Sequence, residues 1–594
     1  MTRLAALAAL PLLALAAPVV AQTSATATAA GEPVTRVIVF GDSLADGGFF
    51  LPLQPGIPRE AGSFTTNPDP VAPEVFAARL GIDLQPVYGR GGTNYAIGGA
   101  RVAAANGVTI PITNQITNFI ASGGTFGAND LVYIQGGGND FFAFQAGGGT
   151  NNAIITTAAT QLAAQVSRIQ GLGAQRIVTF AIQGANAGGL LLFNQTYAAA
   201  LAAANVNALY FDTNKLFNEI VASPGTFGIT NTTGTACIGS SLTCTRASLV
   251  APNANETYLL ADSVHPAGIT QRIQGQAVAS LVEAPEQIAG LSYAAQAQFR
   301  SQRDLLEAPM RGGAAREGSN LALFGAGAYH YYNADGSAQR IGVTQRGFSG
   351  VLGLDLSLGG TSGVGLVGGY YDGSGSFARG NGDYDVTGWT ANAYARAGLG
   401  PGRLLADGTY GRIDYDRISR RVQLGPTNRE NRGQTHGDYV AGRLTAAFDL
   451  FSAGGVGFGP DVSAQYERVT IDGYAEDATT STNAAFSRQR IESWSGRAGL
   501  VVRALPGSTT GFFARASYER EFDDDPRTIT LTPAGAPISY TTAVERADRD
   551  YASFAMGVDG RVLGPLSLRA GVSGQVLRRD RDSITAFAGL SAAF

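Results

Sequence analysis

Long apolar runs, lysine, histidine and cysteine are all scarce in this chain of 594 residues. Charged residues make up only 15% of the chain, and the formal net charge of −4 is small for this length. Such a balance gives no indication of a nucleic-acid partner. Beyond the N-terminal segment, no run is apolar and long enough for a membrane-spanning helix. Any later membrane span therefore has to be built from strands.

The first 21 residues resemble an export signal. Arg3 supplies the positive charge, and an apolar stretch then leads to small residues before Ala21, where cleavage is expected. A membrane-anchor helix is the alternative, but two prolines leave the apolar run short of the ~20 residues that a span needs. We therefore expect residues 1–21 to be a signal peptide and the remainder to be exported.

The only cysteines, Cys237 and Cys244, lie seven residues apart in a stretch rich in Gly, Ser and Thr. Two such cysteines in an oxidising compartment are expected to form a disulfide, with two free thiols as the alternative. Neither flank resembles an activated site, so a nucleophilic cysteine is not expected.

Between residues 36 and 282, short apolar strands alternate with helices. Strands are predicted at 36–40, 130–135, 176–182 and 208–211, and helices at 73–80, 152–169 and 193–204. This alternation predicts an α/β domain with a mostly parallel sheet covered by helices. In such sheets, functional groups gather at the carboxyl ends of the strands.

Residues 285–308 differ from what precedes them, because Gln and Arg are interspersed with Ala, Leu and Ile. The pattern predicts a fairly polar helix without a wide apolar stripe. Such a helix could bridge two domains or lie inside a polar pore.

From about residue 320 to the end, segments with a period of two residues repeat about twelve times. The segments are 320–332, 346–358, 361–373, 384–398, 402–416, 437–450, 455–470, 490–504, 509–522, 549–562, 564–578 and 582–594. In the last segment Ile584 and Leu590 share one face and Ser583 and Thr585 the other, an alternation that Phe587 interrupts. Apolar and polar faces of this kind are typical of a transmembrane β-barrel.

The connections between these segments alternate between short turns and longer polar stretches. The longer ones are predicted at 333–345, 374–383, 417–436, 472–488 and 523–548. Bacterial outer-membrane barrels have short periplasmic turns and long external loops, so we predict a barrel of twelve strands. A large soluble β-sandwich, the alternative, explains neither the loop lengths nor the terminal Phe594.

The first predicted strand leads into Gly41-Asp42-Ser43-Leu44, which places a serine at the carboxyl end of a strand and before a predicted helix. Ser43 could act as a nucleophile there if a base activates it. His265 is the only histidine between the signal and the barrel, so it is the candidate base. Asp262, three residues earlier, could orient the imidazole. A buried structural histidine is the alternative reading.

Acyl transfer also needs donors for an oxyanion, and two glycine-rich segments could supply them. One covers 91–100, and the other is Gly136-Gly137-Gly138-Asn139-Asp140, directly after a predicted strand. Each segment taken alone is more often a simple turn. Phe49-Phe50-Leu51-Pro52-Leu53 could line an acyl pocket, although ordinary packing explains it equally well.

These segments form four blocks that resemble the motifs of the GDSL (SGNH) hydrolase family. Their order along the chain is Gly-Asp-Ser-Leu, Asn-x-x-x-Gly-Gly, Gly-x-Asn-Asp and Asp-x-x-His. The whole chain resembles the autotransporter GDSL esterase/lipases. One departure lies in 181–188, where the Pro-Asp of such enzymes is missing, which leaves the pocket wall and the substrate preference open.

The resemblance implies a role for five residues. These are Ser43 as nucleophile and oxyanion donor, Gly99 as backbone donor, Asn139 as side-chain donor, Asp262 as orienter and His265 as base. Gly98 is the alternative to Gly99, because the glycine pair leaves the register open. No metal or cofactor is implied.

The sequence and the resemblance together predict a cell-surface serine esterase/lipase that hydrolyses acyl esters through an acyl-serine intermediate. The predicted organisation is a signal peptide at 1–21, a passenger domain at 22–284, a linker helix in the barrel lumen at 285–310 and an autotransporter β-barrel at 311–594. The expected partners are an ester or lipid substrate, outer-membrane lipid and the barrel-assembly machinery, with no nucleic acid. A catalytically inert surface adhesin built on the hydrolase fold is the alternative.

Overall fold

The computed structural model describes residues 31–594, apart from 55, 185–187, 313–319, 454, 505–509, 524, 547 and 580. The predicted signal peptide at 1–21 lies outside the described residues. Across the described part of the chain, no helix is both long enough and apolar enough to cross a membrane.

A parallel sheet of four strands forms the centre of the N-terminal domain, as predicted. The strands, in spatial order, are β1 (Arg36–Phe40), β2 (Asp130–Ile134), β3 (Arg176–Phe180) and β4 (Leu209–Phe211). Alternate side chains of β1 enter two different apolar clusters, Val37 and Val39 on one face and Ile38 and Phe40 on the other. Both faces of the sheet are therefore buried, which explains why its strands are mostly apolar.

Helices cover both faces of this sheet and connect its strands. They are α1 (Ala72–Arg79), α2 (Val87–Arg90), α3 (Ile112–Ala121), α4 (Gly138–Ala146), α5 (Asn152–Gly171), α6 (Gly188–Ala203), α7 (Thr213–Ala222), α8 (Ala254–Thr257) and α9 (Gly268–Gly312). Short 3₁₀ turns lie at Pro224–Phe227, Ser241–Thr243, Arg246–Ser248 and Ala378–Gly380, and a small parallel pair is formed by β5 (Asn231–Thr235) and β6 (Tyr258–Leu260).

The C-terminal part is an antiparallel barrel. Its twelve strands are β7 (Leu321–Ala334), β8 (Val343–Gly359), β9 (Ser362–Phe377), β10 (Gly382–Leu399), β11 (Gly402–Leu424), β12 (Thr427–Phe448), β14 (Val456–Ile471), β17 (Gln489–Ala504), β18 (Thr510–Glu521), β21 (Asp550–Leu563), β22 (Leu566–Val576) and β23 (Arg581–Ala593), with the short β13 (Phe451–Ala453) beside β14. The barrel closes because β23 pairs with β7 and β12 pairs with β14. Closure leaves no strand edge exposed to lipid.

Three of the predicted external loops contain more regular structure than the sequence pattern indicated. Residues 417–436 are not a loop, because β11 and β12 continue through them to a tight turn at Gly425. The stretches 472–488 and 523–548 contain a separate sheet of β15 (Tyr474–Ala475), β16 (Ala484–Phe486), β19 (Thr528–Pro533) and β20 (Tyr540–Ala543). The sequence pattern predicted loops here because these segments lie beyond the lipid, where a strand needs no apolar outer face.

The polar helix predicted over 285–308 is the second half of α9, which begins earlier, at Gly268, and continues unbroken into the barrel. The hydroxyl of Thr66 in the N-terminal domain accepts the N–H of Gly268 over 2.9 Å at the start of this helix. One helix therefore leads from the N-terminal domain into the barrel.

Within the barrel, α9 is held by buried ion pairs. Arg300 contacts Glu467 at 2.6 Å, and Arg303 contacts Asp407 at 3.0 Å. Glu307 accepts hydrogen bonds from three barrel arginines, Arg443, Arg497 and Arg515. Breaking one member of such a set leaves an uncompensated buried charge, which is strongly unfavourable. The Arg and Gln pattern of this helix is thus explained by a polar lumen.

The inward-facing Phe587, which interrupts the alternation in β23, packs in an apolar cluster with Leu305 and Leu306 of α9. Its neighbours Ile584 and Leu590 are exposed on the outer surface of the barrel, as the period of two predicted. Phe587 on the otherwise polar face therefore marks a contact with the helix.

Loops and strand ends at one end of the barrel also hold the N-terminal domain. The side chain of Gln339 pairs with the backbone N–H and carbonyl of Val34, and the side chain of Asn207 pairs in the same way with Thr541. Glu219 forms an ion pair with Arg429 at 2.8 Å. These contacts and α9 together fix the domain on one end of the barrel.

Candidate active site

Ser43 lies three residues beyond the carboxyl end of β1, at the edge of the sheet where the alternation predicted functional groups. The buried side chain of Gln115 holds the start of this turn, because it accepts the N–H of Gly41 at 3.0 Å and donates to its carbonyl at 2.9 Å. The strand end is thereby fixed directly before the serine. Ser43 itself is 8% exposed, so neighbouring residues cover most of its surface.

The structure brings Ser43, His265 and Asp262 together. The Oγ of Ser43 lies 2.8 Å from Nε2 of His265, and Nδ1 of the same ring lies 2.9 Å from both carboxylate oxygens of Asp262. The hydroxyl, imidazole and carboxylate therefore form one hydrogen-bonded line, the geometry of a serine nucleophile with its base and orienter. The aromatic ring of Phe64 packs beside the imidazole, with 4.9 Å between ring centroids.

The carboxylate of Asp262 is anchored at both oxygens. Its Oδ1 accepts the backbone N–H groups of Val264 and His265 at 3.0 and 2.9 Å, and its Oδ2 accepts the N–H of Ser241 at 3.0 Å. Burial alone would raise the pKa of Asp262, but hydrogen bonds and the charge of His265 hold that pKa well below its usual range. The carboxylate is thus ionised wherever the imidazole can act as a base.

The two candidate glycines differ in what their backbone N–H groups do. The N–H of Gly98 donates to the buried Asp46 over 2.8 Å. Among the described residues, the N–H groups of Gly99 and Ser43 have no protein acceptor. Gly99 has φ +80°, a conformation that favours glycine, and a Cβ on Gly98 would collide with the ring of Phe64. Both glycines are therefore required by the backbone of this loop.

Asn139 lies in the first turn of α4, beside the glycine loop. Its amide donates one hydrogen to the carbonyl of Ala100 over 3.0 Å. The next residue, Asp140, accepts the N–H of Val102 and the guanidinium of Arg101, both at 2.9 Å. Asn139 and Asp140 thus hold the three residues that directly follow Gly99.

Asp46 holds the same loop from the other side, and the sequence reasoning missed it. This fully buried carboxylate accepts the N–H groups of Gly48 and Phe49 as well as that of Gly98. Its position three residues after Ser43 was the available signal, because a carboxylate this close to a nucleophile has to be either paired or functional. Burial, partly offset by these three hydrogen bonds, raises the pKa of Asp46 to about 6.

Replacing Asp46 by asparagine should lower kcat/KM at pH 8 about tenfold, because the amide has one accepting oxygen and leaves an N–H unpaired. The ionised form of Asp46, with two accepting oxygens, exists above its pKa of about 6 and is lost as the pH falls through that value. The ratio of wild-type to variant activity should therefore shrink below pH 6. A ratio independent of pH would contradict this role. Asp212→Asn, at the opposite edge of the sheet, is the control and should leave activity unchanged.

The remaining sequence features near the site have structural explanations. Phe49 and Phe50 are buried and pack edge-to-face against each other, so packing accounts for them. In the stretch 181–188 that lacks Pro-Asp, the backbone of Ile182 pairs with the side chain of Asn194, and residues 185–187 lie outside the described part. Cys237 and Cys244 form the expected disulfide. In the described ranges, no group of three or more His, Cys, Asp or Glu side chains is arranged to hold a metal ion.

Comparison with known proteins agrees with both halves of this architecture. Residues 37–278 match the family model for GDSL-like Lipase/Acylhydrolase, and residues 323–573 match that for the Autotransporter beta-domain. The chain is 28% identical to Esterase EstA from Pseudomonas aeruginosa over 626 aligned positions, covering 94% of this chain and 95% of that protein. It is 23% identical to Lipase 1 from Photorhabdus luminescens, covering 91% and 94% respectively.

Among solved structures, the translocator domain of autotransporter NalP from Neisseria meningitidis matches 51% of this chain and 98% of its own length, with 15% identity and a TM-score of 0.42. The predicted fold class and enzyme class are thus confirmed by the sheet topology and the two family matches, and nothing favours the inert adhesin. Residues 37–278 thus form a GDSL-like lipase/acylhydrolase domain and residues 323–573 an autotransporter β-domain, and the chain is an esterase/lipase that its own outer-membrane β-barrel displays at the cell surface.

Proposed function

We propose that Ser43, His265 and Asp262 form the catalytic triad of this esterase and that it cleaves carboxylic esters through an acyl-Ser43 intermediate. The observation that carries the proposal is the unbroken line of hydrogen bonds from Ser43 through the imidazole to a carboxylate with fixed oxygens. An inert binding domain has no need of an activated hydroxyl beside unpaired backbone donors.

In the first half of the reaction, Nε2 of His265 takes the proton of Ser43 while Oγ attacks the ester carbonyl. The imidazolium that forms is stabilised by Asp262, whose lowered pKa keeps it negatively charged. His265 then passes the proton to the leaving alcohol. In the second half, His265 takes a proton from water as the water oxygen attacks the acyl carbonyl, and it then returns that proton to Oγ of Ser43 as the carboxylic acid leaves.

The negative charge that develops on the carbonyl oxygen would be stabilised by the N–H groups of Ser43 and Gly99 and by the amide of Asn139. Gly99 is preferred over Gly98 as the donor, because the N–H of Gly98 is already used by Asp46. Asn139 uses one of its two amide hydrogens to hold Ala100, which leaves the other for the oxyanion.

The proposed organisation is a signal peptide at 1–21, a passenger at 22–284, a lumen helix at 285–310 and the barrel at 311–594. Because α9 begins at Gly268, the boundary between passenger and linker falls inside a continuous helix. We further propose that the exposed apolar residues on the outside of the barrel contact outer-membrane lipid and that the barrel-assembly machinery inserts it. Lipid esters as substrates would fit this location.

The direct test combines turnover with covalent labelling. The purified full-length protein should hydrolyse p-nitrophenyl esters, and an organophosphonate probe should abolish this activity while modifying a single serine. Mass spectrometry of the labelled peptide should identify Ser43. Labelling of another serine, or hydrolysis that survives full modification of Ser43, would overturn the proposal. A series of acyl chain lengths in the same assay would define the substrate preference.

A further inference from the structure

The loop closed by the Cys237–Cys244 disulfide carries a residue that touches the triad. Ser241 is fully buried, and its backbone N–H donates to Oδ2 of Asp262 over 3.0 Å. Its Oγ lies 3.2 Å from Nδ1 of His265. Ser241 therefore contacts both residues that activate Ser43, from a segment that belongs to none of the four sequence blocks.

The contacts of Ser241 complement those that Asp262 makes within its own segment. The backbone N–H groups after Asp262 hold Oδ1, whereas Ser241 is the backbone donor to Oδ2. A carboxylate held at only one oxygen can rotate about its Cβ–Cγ bond and lose its alignment with the imidazole. Ser241 removes this freedom and adds an oxygen beside Nδ1.

The loop that carries Ser241 is itself anchored on both sides. The N–H of Cys237 donates to the carbonyl of Ala261, the residue before Asp262, over 2.9 Å. On the other side, the buried side chain of Asn67 donates to the carbonyl of Ser241 over 3.0 Å. The disulfide joins the ends of this loop and so limits how far Ser241 can move away from Asp262.

We infer that Ser241 is a positioning residue of the active site, held by the Cys237–Cys244 disulfide, and that it aligns Asp262 and His265 for proton transfer. The inference rests on the proposed triad. By itself the disulfide stabilises only a short surface loop. Through Ser241, it would also affect turnover directly.

The first test removes the hydroxyl alone. Ser241→Ala in the purified full-length protein should lower kcat about tenfold and change KM less than about twofold, since a hydrogen bond to a group that becomes charged is lost. Thr233→Ala is the matched control, because it removes an exposed hydroxyl in β5, four residues before the disulfide loop. Its activity should equal that of the wild type. Wild-type kcat in Ser241→Ala would overturn the inference.

A double-mutant cycle separates positioning from general loosening of the fold. If Ser241 acts through the orienting pair, Ser241→Ala should cost less than about twofold in an Asp262→Asn background. A full additional tenfold loss in that background would show an independent effect and would overturn the positioning role. Loss of all activity in Ser43→Ala tests the triad separately, so the failure of one proposal is distinguishable from the failure of the other.

The contribution of the disulfide is tested by Cys237→Ser combined with Cys244→Ser. This variant should also lose about tenfold in kcat, while the barrel keeps its heat-modifiable migration in gel electrophoresis. If the double variant fails to fold, reduction of the folded wild type by a phosphine, with opening verified by mass spectrometry, should give the same loss. Unchanged kcat with an open disulfide would overturn the disulfide part of the inference.

Discussion

Replacing Ser43 by alanine is expected to reduce ester hydrolysis roughly 10⁴-fold or more, because a triad works as one unit and the variant has no nucleophile. His265→Ala should cause a loss of similar size, since the imidazole of His265 is the base that contacts Oγ of Ser43. The measurement is kcat and kcat/KM for a p-nitrophenyl ester with purified protein. Combining the two substitutions should cost little more than either one alone.

The barrel supplies the control for the histidine variant. His436 is half-exposed and pairs with Asp472 outside the esterase domain, so His436→Ala should keep wild-type activity. Both Ser43→Ala and His265→Ala should retain the folded barrel, because both residues lie in the N-terminal domain. Turnover near the wild-type rate in either triad variant would refute the assignment of nucleophile and base.

Asn139→Ala should lower kcat by roughly 10²–10³ with a smaller change in KM, as expected when a donor contacts the oxyanion mainly in the transition state. Asn139 also holds the carbonyl of Ala100, so the alanine variant loosens the glycine loop that carries Gly99. Both effects act on the same developing charge and therefore appear in kcat.

An exposed asparagine provides the comparison for this variant. Asn118→Ala, on the outer face of α3, should leave both constants unchanged. If Asn139→Ala instead raised KM at constant kcat, Asn139 would be a substrate-binding residue and the oxyanion hole would have to be built from the backbone alone.

The blocks around Ser43, Asn139 and His265 could be found from the sequence because each is short and carries its chemistry in adjacent residues. The barrel strands could be found because their period of two reflects the contrast between lipid and lumen along every strand. Phe587 interrupts that period for a structural reason, because it packs in the lumen with Leu305 and Leu306 of α9. The external ends of β11 and β12 lacked this contrast and were therefore mistaken for a loop.

The sequence by itself determined the order of domains, the strand count of the barrel and the identity of the serine, histidine and aspartate that meet in the site. Only the tertiary structure decided which glycine of the pair has a free N–H, because the choice depends on Asp46 in a different loop. It also decided that Ser241 reaches Asp262 and His265 and that α9 runs unbroken from Gly268 into the barrel. The physical reason is that periodicity and motifs depend on residues that are close together in the sequence and on whether each side chain faces an apolar or a polar environment. Hydrogen bonds between distant segments depend on the folded path of the chain and leave no local pattern.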